Sequence, residues 1–252
     1  MLEAVHRFYL PPDSGDGPVL TLTEREAHHA SRVLRLRRGD EATVLDGQGT
    51  VRDCVITEVA RDTVHLEVRL RRMVPAPASS IVLLQAVPKG RLIETIIQKA
   101  VELGARRVVP LLTERVVSDL EEKAEAKALQ WRLAAIEAIK QCGAPWLPTV
   151  DAPVSLPAFL SRGEMFDLSL VASLQPGSRH PRECFDAFRR EEDRAPRSVA
   201  VWVGPEGDFT KDEVTCIERA GAVPITLGQL VLRCDTAALY CLSLVNYELS
   251  VR

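Results

Sequence analysis

Hydrophobic and polar positions along the chain keep two different rhythms, and the change falls just before Ile81. In the first part the apolar runs are short and interrupted. His6-Arg7-Phe8-Tyr9-Leu10 predicts a strand that Pro11-Pro12-Asp13-Ser14-Gly15 ends. Thr23-Glu24-Arg25-Glu26 has capping-box spacing and predicts a short helix reaching Leu34. Beyond Gly39-Asp40, the runs Ala42–Leu45, Val51–Val59 and Val64–Leu70 read as strands. In the last of these Val64, Leu66, Val68 and Leu70 alternate with polar residues, the period of a half-buried strand. Residues 1–73 therefore read as a small β-rich domain. Val74-Pro75-Ala76-Pro77-Ala78-Ser79-Ser80 (residues 74–80) is a proline-containing linker with no periodicity across it.

From Ile81 strand and long helix alternate. Ile81–Val87 is an uninterrupted apolar strand, suited to burial on both faces. Leu92, Ile93, Ile96, Ile97, Ala100 and Val101 follow a helical period that ends at Gly104. Val108–Leu112 predicts a strand, and Glu121–Gln141 a longer helix with Leu129, Leu133, Ile136 and Ile139 inward. Leu168–Ala172, Val199–Val203 and Pro224–Leu227 are further buried-type strands, with helices near 181–191, 211–220 and 236–249. This alternation predicts an α/β domain over residues 81–252, a parallel sheet with helices on both faces.

Charge narrows the choice of partners. With 32 basic and 35 acidic residues the net charge is −3, so any nucleic-acid contact must use a local patch. One exists: His28–Arg38 carries Arg32, Arg35, Arg37 and Arg38 with no acid, on a domain whose 11 basic and 12 acidic residues nearly balance. It is either a set of phosphate contacts or a solvated helix end. An apolar share of 46% excludes a disordered chain. No stretch approaches the ~18 uncharged apolar residues of a membrane helix, and the first residues show no signal-peptide core. A cytoplasmic protein without membrane contact is expected. Six cysteines with no C-x-x-C pair predict neither a metal site nor a disulfide framework.

Val44-Leu45-Asp46-Gly47-Gln48-Gly49 imitates a nucleotide-binding loop, but the residues after it read as strand, so a hairpin turn is the better reading. The informative segments lie near the C-terminus. Val201-Trp202-Val203-Gly204-Pro205-Glu206-Gly207-Asp208-Phe209-Thr210 is a buried strand, a glycine-flanked loop and, with Glu213, a capping box. Leu227-Gly228-Gln229-Leu230-Val231-Leu232-Arg233-Cys234-Asp235-Thr236-Ala237 repeats strand, glycine, loop and helix. Two such loops at the carboxyl ends of parallel strands predict a composite pocket without specifying its chemistry.

These two segments, with Lys89-Gly90-Arg91-Leu92-Ile93-Glu94, Lys99-Ala100-Val101-Glu102-Leu103-Gly104 and Gln141-Cys142-Gly143, resemble the 16S rRNA (uracil-N3) methyltransferases of the SPOUT class. The resemblance runs in order through essentially the whole chain. It implies a PUA-like RNA-binding domain, a C-terminal domain with a deep trefoil knot, S-adenosylmethionine as methyl donor, and a homodimer acting on 16S rRNA in the small ribosomal subunit. Cofactor-binding residues would be Leu174, Gly204, Pro205, Glu206, Gly207, Leu227, Gly228, Val231 and Leu232. The pattern departs at Asp208, Ala144 and Leu230, where the family usually has glycine, arginine and arginine.

Methylating uracil N3 requires losing its proton, so the site needs an anion stabiliser and a proton acceptor. The expected catalytic residues are Arg233 for the first role and Asp235 or Glu206 for the second. RNA would be held by Arg7, Arg32, Arg35, Lys89 and Arg91. Two other readings stay open at this point, a ribose 2′-O-methyltransferase of the same class and a catalytically weakened RNA-binding member.

Overall fold

A computed structural model describes residues 6–15, 17–115 and 123–250. They form two compact units. One holds the described residues up to Ala76 together with Ile136–Leu147; the other holds Pro77–Ala135 and Pro148 onward. The first unit is thus discontinuous in sequence, which a division at 74–80 alone does not express.

The first unit is a five-stranded sheet in the order β1-β3-β4-β5-β2. Its strands are β1 (His6–Tyr9), β2 (Val19–Thr23), β3 (Glu41–Leu45), β4 (Thr50–Val59) and β5 (Thr63–Met73). β1 runs parallel to β3 and the other pairings are antiparallel. The inward positions Phe8, Leu20, Leu22, Val44, Ile56, Val64 and Leu66 are buried with Ala27 and Ala30 of the short helical segment. That segment is α1 (Glu24–His28) continued by one π-helical turn, His29–Val33. The expected capping box does not form: the Thr23 side chain makes no cap bond. Glu26 instead accepts the Tyr9 N–H at 3.2 Å and the Lys140 ammonium at 2.7 Å, a charged partner outweighing a local one. The 44–49 segment is the β3–β4 turn. Asp46 Oδ1 accepts the N–H groups of Gln48 and Thr50, so its carboxylate is used to close its own loop.

The second unit is a seven-stranded parallel sheet in the order β12-β10-β11-β6-β7-β8, with β9 also on β7. Its strands are β6 (Ser80–Ala86), β7 (Ala105–Leu112), β8 (Thr149–Val150), β9 (Val154–Ser155), β10 (Leu168–Ala172), β11 (Ser198–Val203) and β12 (Val223–Ile225). Every residue from Ile81 to Ala86 is buried, so both faces of the sheet are covered. The helices are α2 (Leu92–Glu102), α3 (Ala124–Cys142), α4 (Leu156–Leu160), α5 (Pro181–Glu192), α6 (Lys211–Arg219) and α7 (Cys234–Ser250). α2 and α7 pack on each other and on the sheet. α3 corrects one expectation: Leu129 and Leu133 are 62% and 38% exposed, while Trp131, 1% exposed, turns inward with Ala134, Ala135, Ala138 and Ile139. The large indole fixes the helix phase. Glu121, the expected first residue of that helix, lies outside the described residues.

Candidate active site

β10, β11 and β12 are neighbours and parallel, so the loops that follow them emerge at one edge of the sheet. There they enclose a cavity of about 500 Å³, within the range of small-molecule sites. Leu174 comes from the first loop; Gly204, Pro205 and Glu206 from the second; Leu227, Gly228, Val231, Leu232 and Arg233 from the third. Gly207 and Asp235 do not line it. Residues that sequence reasoning left out do: Leu92, Ser173, Asp208, Leu230, Cys234 and Ala237 among them. Asp208 and Leu230 had a sequence signal, being two of the three departures; Leu92 and Ala237 read simply as helix core.

The second loop is held from several sides. Asp208 N–H closes a turn on the Pro205 carbonyl at 2.9 Å. A Cβ on Gly204 would lie 2.6 Å from Asp208 Oδ1 and 3.0 Å from Phe209 N, so glycine is required for room. Gly207 points the other way: its carbonyl accepts the guanidinium of Arg115. Thr210 and Glu213 form the expected capping box at the start of α6. In the third loop Gly228 has φ +109°, a conformation L side chains rarely adopt. Leu230 and Val231 stand 77% and 78% exposed at the cavity rim.

The charged groups of the cavity differ in how far they are already committed. Arg233, exposed just before α7, makes no side-chain hydrogen bond or ion pair among the described residues. Glu206 Oε1 accepts the Lys89 N–H at 3.1 Å. Burial pushes the carboxyl of Asp208 above its ordinary value, against the Phe209 N–H and Arg115. Burial likewise raises the Cys234 thiol, so it stays neutral near pH 7. Asp235 sits in the first turn of α7 with Oδ1 buried and without a hydrogen-bond partner among the described residues. No group of three or more metal-ligating side chains occurs among the described residues.

The pattern of the RNA methyltransferase domain matches residues 75–246, and that of the RNA methyltransferase PUA domain matches residues 22–69. Ribosomal RNA small subunit methyltransferase E of Synechocystis is 32% identical over 246 residues, 96% of this chain and 77% of that one. The chain belongs to this methyltransferase family. The Bacillus subtilis member is 30% identical over 92% of this chain and 91% of its own. A methyltransferase from Legionella pneumophila, solved with bound SAM, superposes with a TM-score of 0.85 at 31% identity, over 97% of this chain and 98% of that one.

In this family member the candidate RNA residues fall in both units. Arg32 lies in the π-helical turn and Arg35 just after it, both exposed, with Arg35 at φ +55°. Arg7 is used within its own unit: its guanidinium donates to the carbonyls of Gln141 at 3.1 Å and Lys140 at 3.4 Å, capping the end of α3. A Cβ on Gly143 would meet Arg7 Nε at 3.0 Å, so the guanidinium carried by β1 lies against Gly143. Lys89 and Arg91, in the second unit, are exposed on the loop that opens α2.

Proposed function

We propose that the protein transfers a methyl group from S-adenosylmethionine to N3 of a uracil in small-subunit ribosomal RNA. The observation that carries this is the cavity at the carboxyl ends of β10, β11 and β12, in a chain of this methyltransferase family. The residues present fit the cofactor. Apolar Leu174, Leu227, Val231 and Leu232 offer a slot for a purine, and Gly204 and Gly228 let main chain approach closely. Exposed Leu230 and Val231 at the rim are apolar surface that a bound nucleoside would cover. When bound, S-adenosylmethionine supplies an electrophilic methyl group on a sulfonium centre.

The chain's own residues have three tasks. The pocket aligns uracil N3 with the methyl group, and Arg233, uncommitted and facing the cavity, stabilises the uracil anion. Glu206 faces the cavity and Asp235 does not, which favours Glu206 as acceptor of the N3 proton. The target base must lie in an unpaired region or be flipped out of its stack.

The same reading gives the N-terminal segment, 1–73, the role of a PUA-like RNA-binding domain, supported by the PUA match and the exposed Arg32 and Arg35. It includes a knotted chain path, a homodimer and a cytoplasmic location, supported by family membership. Among the described residues no helix is long and apolar enough to cross a membrane. The test maps methylated uridines in ribosomal RNA from cells with and without the gene. Loss of one N3-methyluridine from small-subunit RNA is expected; loss of a 2′-O-methyl group, or of nothing, overturns the assignment.

A further inference from the structure

Asp208 occupies a backbone conformation that glycine ordinarily takes, φ +60°, in the middle of the loop after β11. Its side chain lines the cavity and is half-buried there. One oxygen, Oδ1, accepts the N–H of Phe209 at 2.8 Å. The other takes no hydrogen bond from any described residue. Arg115, a cation that acts on this carboxyl, is turned to main chain instead, donating to the carbonyls of Gly207 and Asp208. A carboxylate partly out of water, with one oxygen unused and on a residue that lines a ligand-sized cavity, is placed to accept from a ligand. The apolar wall of the third loop takes the base, so the neighbouring glycine loop faces the sugar. A carboxylate beside such a loop, at the end of a parallel strand, suits a ribose diol.

We propose that the Asp208 carboxylate binds the ribose hydroxyls of the nucleoside cofactor. Asp208 is then a binding residue that the glycine loop supplies by its side chain as well as its backbone. This rests on the S-adenosylmethionine reading above. The side chain is half-buried, and that burial raises the Asp208 carboxyl above its ordinary value.

Calorimetry on the full chain separates the possibilities, with S-adenosylmethionine, S-adenosylhomocysteine and 5′-methylthioadenosine as ligands. Asp208→Gly keeps the left-handed backbone without strain and removes only the side chain, so the loop persists. Affinity for all three ligands should fall by the same factor, roughly ten- to hundredfold, the range for a hydrogen bond to a charged group. Asp208→Asn, which keeps an acceptor oxygen, should fall less. If 5′-methylthioadenosine is unaffected, the partner is the amino-acid end and the ribose assignment is overturned. A loss confined to S-adenosylmethionine points to the sulfonium charge and overturns it equally. Unchanged affinities reduce Asp208 to a cap for Phe209. A parent protein that binds none of the three overturns the cofactor reading itself, whatever the variants do.

Discussion

The carboxylate of Glu206 accepts the backbone N–H of Lys89 at 3.1 Å, joining two loops separated by 117 residues. One follows β11 and lines the cavity; the other opens α2, whose first residue, Leu92, lines it too. Glu206 thus has one oxygen in a scaffold role, while the other takes no hydrogen bond from a described residue. A residue so placed discriminates sharply between an isosteric and a truncating substitution.

Glu206→Gln keeps an acceptor for Lys89 and should fold and bind S-adenosylmethionine much as the parent does. If Glu206 takes the N3 proton, single-turnover methylation falls by roughly 10²–10⁴-fold. Asp235→Asn, altering a group outside the cavity, should lower the rate far less. The reverse ranking of the two variants would return the proton to Asp235.

Arg233 makes no ion pair among the described residues, so its removal leaves no carboxylate stranded. Arg233→Ala should unfold at the parent's temperature while its single-turnover rate drops by roughly 10²–10³-fold. Lysine should rescue poorly, because a point charge does not reproduce the planar guanidinium. A marked fall in melting temperature with an unchanged rate would make the residue structural.

Arg32→Glu combined with Arg35→Glu should weaken RNA binding and flatten its salt dependence, since each phosphate contact releases counterions. Both side chains are exposed. Cofactor affinity, measured by calorimetry, should hold. Parent-like RNA affinity with a parent-like salt slope would remove this turn from the interface.

Asp167 supplies the clearest pH dependence. Its carboxylate bonds both ends of the Arg194 fork, at 2.8 and 3.0 Å, and accepts the Arg197 and Ser198 N–H groups. Hydrogen bonds from Arg194 first, then from Arg197, hold its carboxyl far below the usual carboxylate range. A depressed value means the stabilisation is complete above the unfolded-state value and is lost as pH falls from about 5 toward the folded one. Melting temperature should therefore decline across that window in the parent and decline less steeply in Asp167→Asn. Parallel curves would show that other carboxylates govern acid unfolding.

Much of this was legible because periodicity is strong where burial is one-sided or complete. The Val64–Leu70 alternation and the Ile81–Val87 run lead directly to β5 and β6. α3 misled because it carries apolar residues on both sides, and only the packed structure selects Trp131 over Leu129. Glu26 had the spacing of a local cap and found Lys140, 114 residues away, a partner that no local rule names. β2 was legible and passed over: Val19-Leu20-Thr21-Leu22-Thr23 alternates, with Leu20 and Leu22 inward. The two-residue strands β8 and β9 are too short for any period. The cavity loops were legible as glycine-flanked strand ends, but which side chains face inward depends on turns such as Pro205–Asp208 that fix direction residue by residue.

The return of Ile136–Leu147 to the first unit has a consequence for synthesis on the ribosome. β1 through β5 are complete once residue 73 has emerged. At that moment Arg7 lacks the carbonyls of Lys140 and Gln141, Glu26 lacks the Lys140 ammonium, and the Val74 carbonyl lacks the Trp146 indole N–H. Those partners arrive only about seventy residues later, after β6, α2 and β7 have been made. These groups must wait without those partners through several seconds of translation at roughly 5–20 residues per second. Completion of the first unit is therefore timed by the other unit's emergence, and a chain cut at the proline linker would carry the β-rich unit in its waiting state permanently.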